Sequence, residues 1–532
     1  MDIVRIAAGM NEAPRPEEIG AKAANLARVA MLGLAVPPAF VLPVQLHNDF
    51  MQHNRRAQAE LTDALAKGIE WLESLTGKRF GNRRQPLLVS VRSGAAQSMP
   101  GMLDTVLNVG CTLAATNGLI RVSGNPQFAW DCRRRFLEGY IETVLGLDAA
   151  PCTAQLDMLV SAERVNSDRD LDGEALERLA GDYESIIADA NAAVPDDAME
   201  QLVASAHAVY RSWDSDRART YRRLEKLDHL AGTAVLVQAM VFGNRGLMSG
   251  TGVAFSRNPS TGAAQPVIDM LFDAQGEDVV SGRRTPETEA SIVRLLPAVA
   301  EELNQALKQL EREFADVQDI EFTIEEGRLW VLQTRSAKRT PRAALRFAVD
   351  LVREGMISRE EGVARVSAVD LGKVAVARFT DGGEPVARGI GAAAGVAVGR
   401  AVFDSAAAQR WTAGGDRVIL VRPDMSTTDI AGLAVSAGIM TASGGRTAHA
   451  VLVGRQMGKA CVVGCDGLAV DPHARCAQLA GATIQEGDWL SIDGDTGDVF
   501  LGQRKIVTDQ PEAELAQVAH WRMGDPAVAA TH

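Results

Sequence analysis

The sequence predicts a multidomain chain of mixed α/β (α+β) class, and three observations carry that prediction. Its 532 residues correspond to about three or four folding units at roughly 150 residues each. Short β-patterned runs recur among amphipathic helical stretches along the whole chain, so neither helix nor strand dominates. Composition also shifts, from a charged helical middle to a Gly-, Ala- and Val-rich stretch beyond residue 386.

In chain order, residues 1–110 combine a helix from Lys22 to Met31, stopped by Gly33, with extended runs FVLPV and PLLVSVRS. Residues 111–230 read as long charged helices, with DCRRRFLEGYIETVLGL the clearest amphipathic segment. Strand signals return at TAVLVQAMVF, GTGVAFSR and QPVIDMLF, a helix crosses the 290s and 300s, and DIEFTIEEGRLWVLQTR reads as a hairpin. Boundaries fall near 340, 385 and 505: a helical linker over 341–385, a unit of short strands (RVILVRP, GIMTAS, WLSIDG, DVFLG) over 386–505, and a polar tail over 506–532. No internal repeat is visible.

The balance of 55 basic against 68 acidic residues, a formal charge of −13, argues against nonspecific nucleic-acid binding. A local basic groove for a small polyanion stays open. No run of 18 apolar residues suits a membrane span, and the N-terminus has no signal-peptide pattern. The six cysteines show no metal or redox spacing and read as reduced thiols, so the expected location is cytoplasmic.

In the hairpin, a three-residue turn (Glu326, Gly327, Arg328) sets Asp319 opposite Arg335, Glu321 opposite Gln333 and Thr323 opposite Val331 on one face. Ile320, Phe322, Ile324, Trp330 and Leu332 then form an apolar face fit for a core. Oxygen donors at Glu321 and Gln333 suit Mg²⁺, and Arg335 suits a phosphate oxygen. The alternative is a solvated strand face with one salt bridge.

Ser249-Gly250-Thr251-Gly252 offers backbone and hydroxyl donors to a phosphate, or is a plain turn. Arg92, ending a strand, and Lys22, behind Gly20, are either phosphate-binding cations or surface charges. Two tempting patterns fail. The glycines 389, 391 and 395 lack the strand and helix of a dinucleotide loop, and Gly454 to Lys459 is one residue short of a P-loop.

The sharpest local feature is Ser443-Gly444-Gly445-Arg446-Thr447-Ala448-His449, between a strand-like run and a helix closing at Gly458. A histidine at a helix N-terminus tends to stay neutral, as a nucleophile must, and the same field favours a phosphoryl group upon it. A simple capping role is the alternative.

These segments together resemble the pyruvate, phosphate dikinase family over nearly the whole chain. The strings that carry it are IGAKAANLARVAMLGLAVPPAF, SVRSGAAQSMPGMLDTVLNVG, GTAVLVQAMVFGNRGLMSGTGVAFSRNPSTGA, QGEDVVSGRRTP, EFTIEEGRLWVLQTR and ASGGRTAHAVLVGRQMGKACVVGC. The resemblance implies an ATP-grasp nucleotide-binding domain over 1–340 with a helical insertion at 111–230. It also implies a swivelling β/α phosphohistidine domain over 386–505.

Residue by residue, it makes His449 the phosphoryl carrier and assigns Lys22 and Arg92 to the polyphosphate of ATP. Gln238, Met240 and Val241 fall on the adenine side, and Gly252 on a closing loop. Glu321 and Gln333 would hold Mg²⁺, with Asp319 and Arg335 alongside. Thr447 occupies a position that is a regulatory phosphorylation site in some members, and Ala448 replaces a usual Ser. Arg446 is synthase-like within an otherwise dikinase-like loop.

The implied chemistry is phosphorylation of His449 from ATP and phosphate, releasing AMP and pyrophosphate. The family's C-terminal pyruvate/phosphoenolpyruvate barrel has no counterpart in the string. The expectation is therefore a phosphotransferase passing its phosphoryl group to pyruvate on a separate subunit, or to another acceptor. A homodimer fits the family. The competing expectations are a nucleotide-responsive scaffold without turnover, and an ATP-dependent kinase of an unrelated small molecule.

Overall fold

A computed structural model describes residues 3–51, 55–97, 99, 102–281, 284–287, 289–380, 382–425, 429–446 and 448–523. The chain forms two compact units, Met1–Arg245 with Trp330–Thr334, and Gly246–Leu329 with Arg335–His532.

The first unit is built on five strands: β1 (Val4–Ile6), β2 (Ala39–Leu42), β3 (Val89–Gly94), β4 (Thr105–Val109) and β5 (Ala234–Ala239). Their order is β1-β2-β5-β3-β4 and their pairings are antiparallel. β2 and β5 are buried at every position. Their near-continuous apolar sequences suit strands covered on both faces.

Helices α1 (Ala21–Met31), α2 (Arg55–Thr76), α3 (Leu113–Ser123), α4 (Pro126–Tyr140), α5 (Ala150–Glu163), α6 (Gly173–Asp189), α7 (Ala198–Ser212) and α8 (Asp216–Leu224) supply most of its helical part. Local chemistry sets several starts. The side chains of Thr112, Asn125, Asp172, Asp197 and Ser215 each accept from a first-turn N–H. Pro126 sits at the first position of α4, where its missing N–H costs nothing.

Phe136, Tyr140, Tyr183 and Tyr210 fill the helical core, and burial of the Phe136 side chain is worth about 1.5–3 kcal/mol. The charged face of α4 is buried too. Arg134 pairs with Asp131 at 2.7 Å and Asp168 at 3.2 Å, and Arg133 with Glu184 at 2.6 Å.

The second unit holds β6 (Gly250–Phe255), β7 (Val267–Phe272) and β8 (Gln318–Glu325), with β6 central and antiparallel to both neighbours. Helix α9 (Pro297–Phe314) precedes β8. The return strand β9 (Arg328–Ser336) is divided, since Trp330–Thr334 belong to the first unit.

Next come α10 (Pro341–Arg353), α11 (Arg359–Ser367) and β10 (Val376–Phe379). The tail returns to them. Its strand β19 (Ile506–Asp509) pairs with β10, and its helix α13 (Glu512–Met523) puts Val518 and Trp521 into a core with Leu345, Val349 and Val366.

Between these lies an eight-stranded sheet of β11 (Ala387–Arg388), β12 (Ile390–Ala393), β13 (Val396–Val402), β14 (Val418–Arg422), β15 (Gly438–Thr441), β16 (Ala460–Val463), β17 (Trp489–Asp493) and β18 (Asp498–Leu501). Its order is β11-β18-β17-β13-β14-β15-β16-β12, and β13 to β16 run parallel. Helix α12 (His449–Gln456) crosses from β15 to β16. Such a crossover places the preceding loop at the carboxyl edge of the parallel strands, where ligands bind in open α/β sheets.

No helix among the described residues is long and apolar enough to cross a membrane. The six cysteines are free, five of them buried.

Candidate functional site

In the first unit, two glycines bring the cations' elements together. A Cβ on Gly20 would lie 2.2 Å from the Gly94 carbonyl oxygen, and Gly20 has φ +82°. Only glycine allows that approach. The Ala21 N–H donates to the Ala95 carbonyl at 2.8 Å. The first turn of α1, with Lys22, therefore abuts the end of β3, two residues beyond Arg92. One turn along α1, the Asn25 amide donates to the Thr334 carbonyl at 3.1 Å, which draws the Gln333 segment to the same place.

The adenine-side expectation divides. Gln238 is 2% exposed inside β5, and its amide donates to the Pro37 carbonyl at 3.3 Å. Its backbone lies between Ala39 and Ser90. That bond holds the Gln238 side chain within the sheet. Met240 and Val241, just past the strand, stay half-buried, and the Met240 N–H donates to the Leu88 carbonyl at 2.9 Å.

The loop expected at Ser249 to Gly252 is also corrected. Gly252 lies within β6 between Met270 and Phe322. A Cβ there would meet the Asp269 carbonyl oxygen and the Phe322 ring, both at 2.6 Å. This glycine answers strand packing, not a closing loop. The preceding stretch instead carries exposed Leu247 and Met248.

The hairpin turn takes two residues, not three. Glu326 and Gly327 both have positive φ, at +49° and +80°, and β9 begins at Arg328. Such a pair matches the right-handed twist of the flanking strands. Arg335 Nε still donates to Asp319 Oδ2 at 2.8 Å, with its Nη2 4.0 Å from Glu321 Oε1. Ile320, Phe322 and Ile324 are fully buried as expected, but Trp330 and Leu332 are only half-buried. Asp319 and Thr323 are buried as well, so this face is not a solvated one. Burial pushes the Asp319 carboxyl above its usual range, against the pull of the Arg335 guanidinium. Asp319 Oδ1 is buried without a hydrogen-bond donor. An acceptor so placed, near half-buried Glu321, fits a divalent cation better than an apolar role does. No group of three or more His, Cys, Asp or Glu stands together as a metal site among the described residues.

His449 opens α12, and Ala448 before it offers no side-chain cap, so no side chain occupies the first-turn N–H groups from that position. The His449 side chain and Thr447 lie outside the described residues. The loop before them is held firmly. The Arg446 backbone N–H donates to Asp269 Oδ2 at 2.8 Å and its Nη1 to Asp269 Oδ1 at 2.9 Å. Arg446 Nε reaches the Gly391 carbonyl at 3.1 Å, and Arg455 Nη2 donates to the Ala392 and Arg446 carbonyls at 2.7 and 3.3 Å. Gly445 leaves room for Pro286, whose Cγ a Cβ would meet at 2.3 Å. The histidine loop is thus seated on β7, whose neighbour β6 pairs with the strand of Asp319 and Glu321. Burial lowers the Arg455 pKa, while Asp269 and Asp319 both favour its charge.

Asp269 and Arg455 were not singled out from the sequence. An aspartate inside the apolar run Val267–Phe272 is the signal that could have found the first.

The family model described as pyruvate phosphate dikinase, AMP/ATP-binding domain, matches residues 57–292 and 285–355. That described as PEP-utilising enzyme, mobile domain, matches residues 414–497. The chain is 41% identical over 509 residues to pyruvate, phosphate dikinase of Clostridium symbiosum, covering 94% of this chain and 58% of that one. It is 39% identical over 510 residues to pyruvate, phosphate dikinase 2 of Zea mays (95% and 58%), and 40% identical over 508 residues to the chloroplastic enzyme of Flaveria pringlei (94% and 53%). The chain therefore spans somewhat over half the length of these relatives.

Proposed function

The chain belongs to the pyruvate, phosphate dikinase family, and from that premise we propose that it transfers phosphoryl from ATP to His449. ATP and phosphate would give AMP, pyrophosphate and phospho-His449. The observation that carries this reading is the seat of the histidine loop. Arg446 ties it to Asp269, within the strand set that bears Asp319 and Glu321.

Each assigned group then has a physical task. Lys22 and Arg92 offset polyphosphate charge at the junction of α1 and β3. Arg335, held by Asp319, adds a planar donor fork. The start of α12 favours a neutral imidazole as nucleophile and an anionic phosphoryl group once it is bound. Glu321 and Gln333, with Asp319 Oδ1, would hold Mg²⁺, which supplies neutralisation of polyphosphate charge. Met240 and Val241 would flank the adenine. The ATP loading site and the acceptor must both reach one histidine, so its domain would move between them. The acceptor is pyruvate, as the relatives' name states, bound on a separate subunit or elsewhere, or another small molecule.

Incubation with β-³²P-ATP, Mg²⁺ and phosphate tests this. Acid-labile label on the chain, with pyrophosphate released, is expected; no label under any nucleotide or metal condition would refute it.

A further inference from the structure

Arg455 is the last residue but one of α12, six residues after His449 and about 9 Å further along the helix axis. Long side chains on a helix lean towards its N-terminus, and this one returns to the histidine loop. Its Nη2 donates to the Arg446 carbonyl at 3.3 Å and to the Ala392 carbonyl of β12 at 2.7 Å. The guanidinium therefore links an edge strand of the sheet to the loop residue three places before His449.

Those bonds use only one of its three nitrogens. Arg455 is 7% exposed, and its Nε and Nη1 are buried without an acceptor. Burial works against its charge, although Cys461, Asp269 and Asp319 favour it. Neither aspartate is bonded to it. Both Asp269 oxygens accept from Arg446, and Asp319 Oδ2 accepts from Arg335. A cation so enclosed costs stability unless an anion answers it. Tying two carbonyls together needs no charge, since a neutral amide donates as well. The charge itself has no task in the fold as it stands.

We propose that Arg455 keeps this charge for the phosphoryl group on His449, so that phosphorylation supplies the anion the buried guanidinium lacks. The inference rests on His449 as the phosphoryl acceptor. Arg455 is then a positioning residue in two senses. Through the Arg446 carbonyl it holds the loop, and as a fixed charge in a buried setting it attracts the phosphoryl group with little screening. It thereby shifts the balance of His449, ATP and phosphate against phospho-His449, AMP and pyrophosphate towards the phosphorylated chain.

The test labels the full chain from β-³²P-ATP with Mg²⁺ and phosphate, as parent, Arg455→Gln and Arg455→Lys. Gln keeps a donor for the carbonyls and loses the charge, whereas Lys keeps the charge and loses the planar fork. At fixed ATP, AMP, phosphate and pyrophosphate, the ratio of phosphorylated to free chain should fall about tenfold in Arg455→Gln and stay within about threefold in Arg455→Lys. Phosphorylation should also raise the melting temperature of the parent and Arg455→Lys by more than that of Arg455→Gln. A packing role alone would lower both forms of each variant alike. Arg410→Gln, which neutralises an exposed cation elsewhere in residues 386–505, should match the parent. An unchanged ratio in Arg455→Gln, or Arg455→Lys as impaired as Arg455→Gln, would overturn the proposal. Should Arg455→Gln not fold, Arg455→Lys decides alone, and a ratio about tenfold or more below the parent's overturns it. No label in the parent would remove the reading of His449 itself, and this inference with it.

Discussion

Replacing Asp269 tests whether its bond to Arg446 is what seats the histidine loop. The carboxylate is buried, and each oxygen accepts one Arg446 donor, at 2.8 and 2.9 Å. Asp269→Ala removes both bonds. Arg446 keeps the Gly391 carbonyl and a side chain 26% exposed, so water can answer part of its loss. Hydrogen bonds to a charged group contribute about 1.5–3 kcal/mol each, which with that compensation gives a loss of about 3 kcal/mol in the seated state. The seated-to-unseated ratio should then fall by about 10²-fold. Asp269→Asn keeps the shape and one acceptor, and should cost about tenfold. Spin labels at Lys308→Cys in α9 and Gln409→Cys, both exposed positions, report the seating directly. The Ala variant should broaden and lengthen their distance distribution. Single-turnover labelling of His449 should slow in the order parent, Asn, Ala, with ATP affinity held within about twofold, since Asp269 has no assigned nucleotide contact. Unchanged distances in the Ala variant would refute the reasoning, whatever the labelling rate.

Three further outcomes are expected. His449→Ala should abolish acid-labile label yet bind nucleotide within about a few-fold of the parent, because the ring is the acceptor and not a nucleotide ligand; persistent label removes that assignment. Glu321→Ala and Gln333→Ala should raise the Mg²⁺ requirement and slow labelling by about 10²-fold, and Mg²⁺ titrations that match the parent would leave the hairpin with a structural role. Burial raises the Asp131 carboxyl, but Arg135 and Arg134 outweigh it and hold it at about 2. A depressed folded pKa gives stability that is present above the unfolded value and lost as pH falls through about 2, worth about 2 kcal/mol in all. Urea unfolding from pH 5 to about 2 should show that decline in the parent and not in Asp131→Asn; parallel declines would place the acid sensitivity elsewhere.

Alternation and apolar runs located β2, β3, β5, β6 and β7, and the helix over Lys22 to Met31 emerged with its stop at Gly33, which has φ +78°. His449 at a helix start was equally legible, since a strand, paired glycines and a helix are consecutive in the chain. These signals lie within a few residues of what they predict, and local sterics and capping act at that range. The ion pair of Asp319 with Arg335 was within reach because a tight hairpin links the two. The turn length was not, because two- and three-residue turns differ by one residue and flip the alternation.

Tertiary structure decided the rest. Gly252 reads as a loop glycine until β7 and β8 close on it. Gln238 falls on the adenine side by resemblance, and only the fold shows it buried within β5 with its amide on the Pro37 carbonyl. The tail that reads as merely polar finds its core only when Trp521 meets Leu345 and Val349. Arg446 reads only as a synthase-like residue of the histidine loop, and its partner Asp269 is 177 residues away. A buried carboxylate needs a donor wherever one is available, and a sequence states the need without stating which distant segment the fold will bring to meet it.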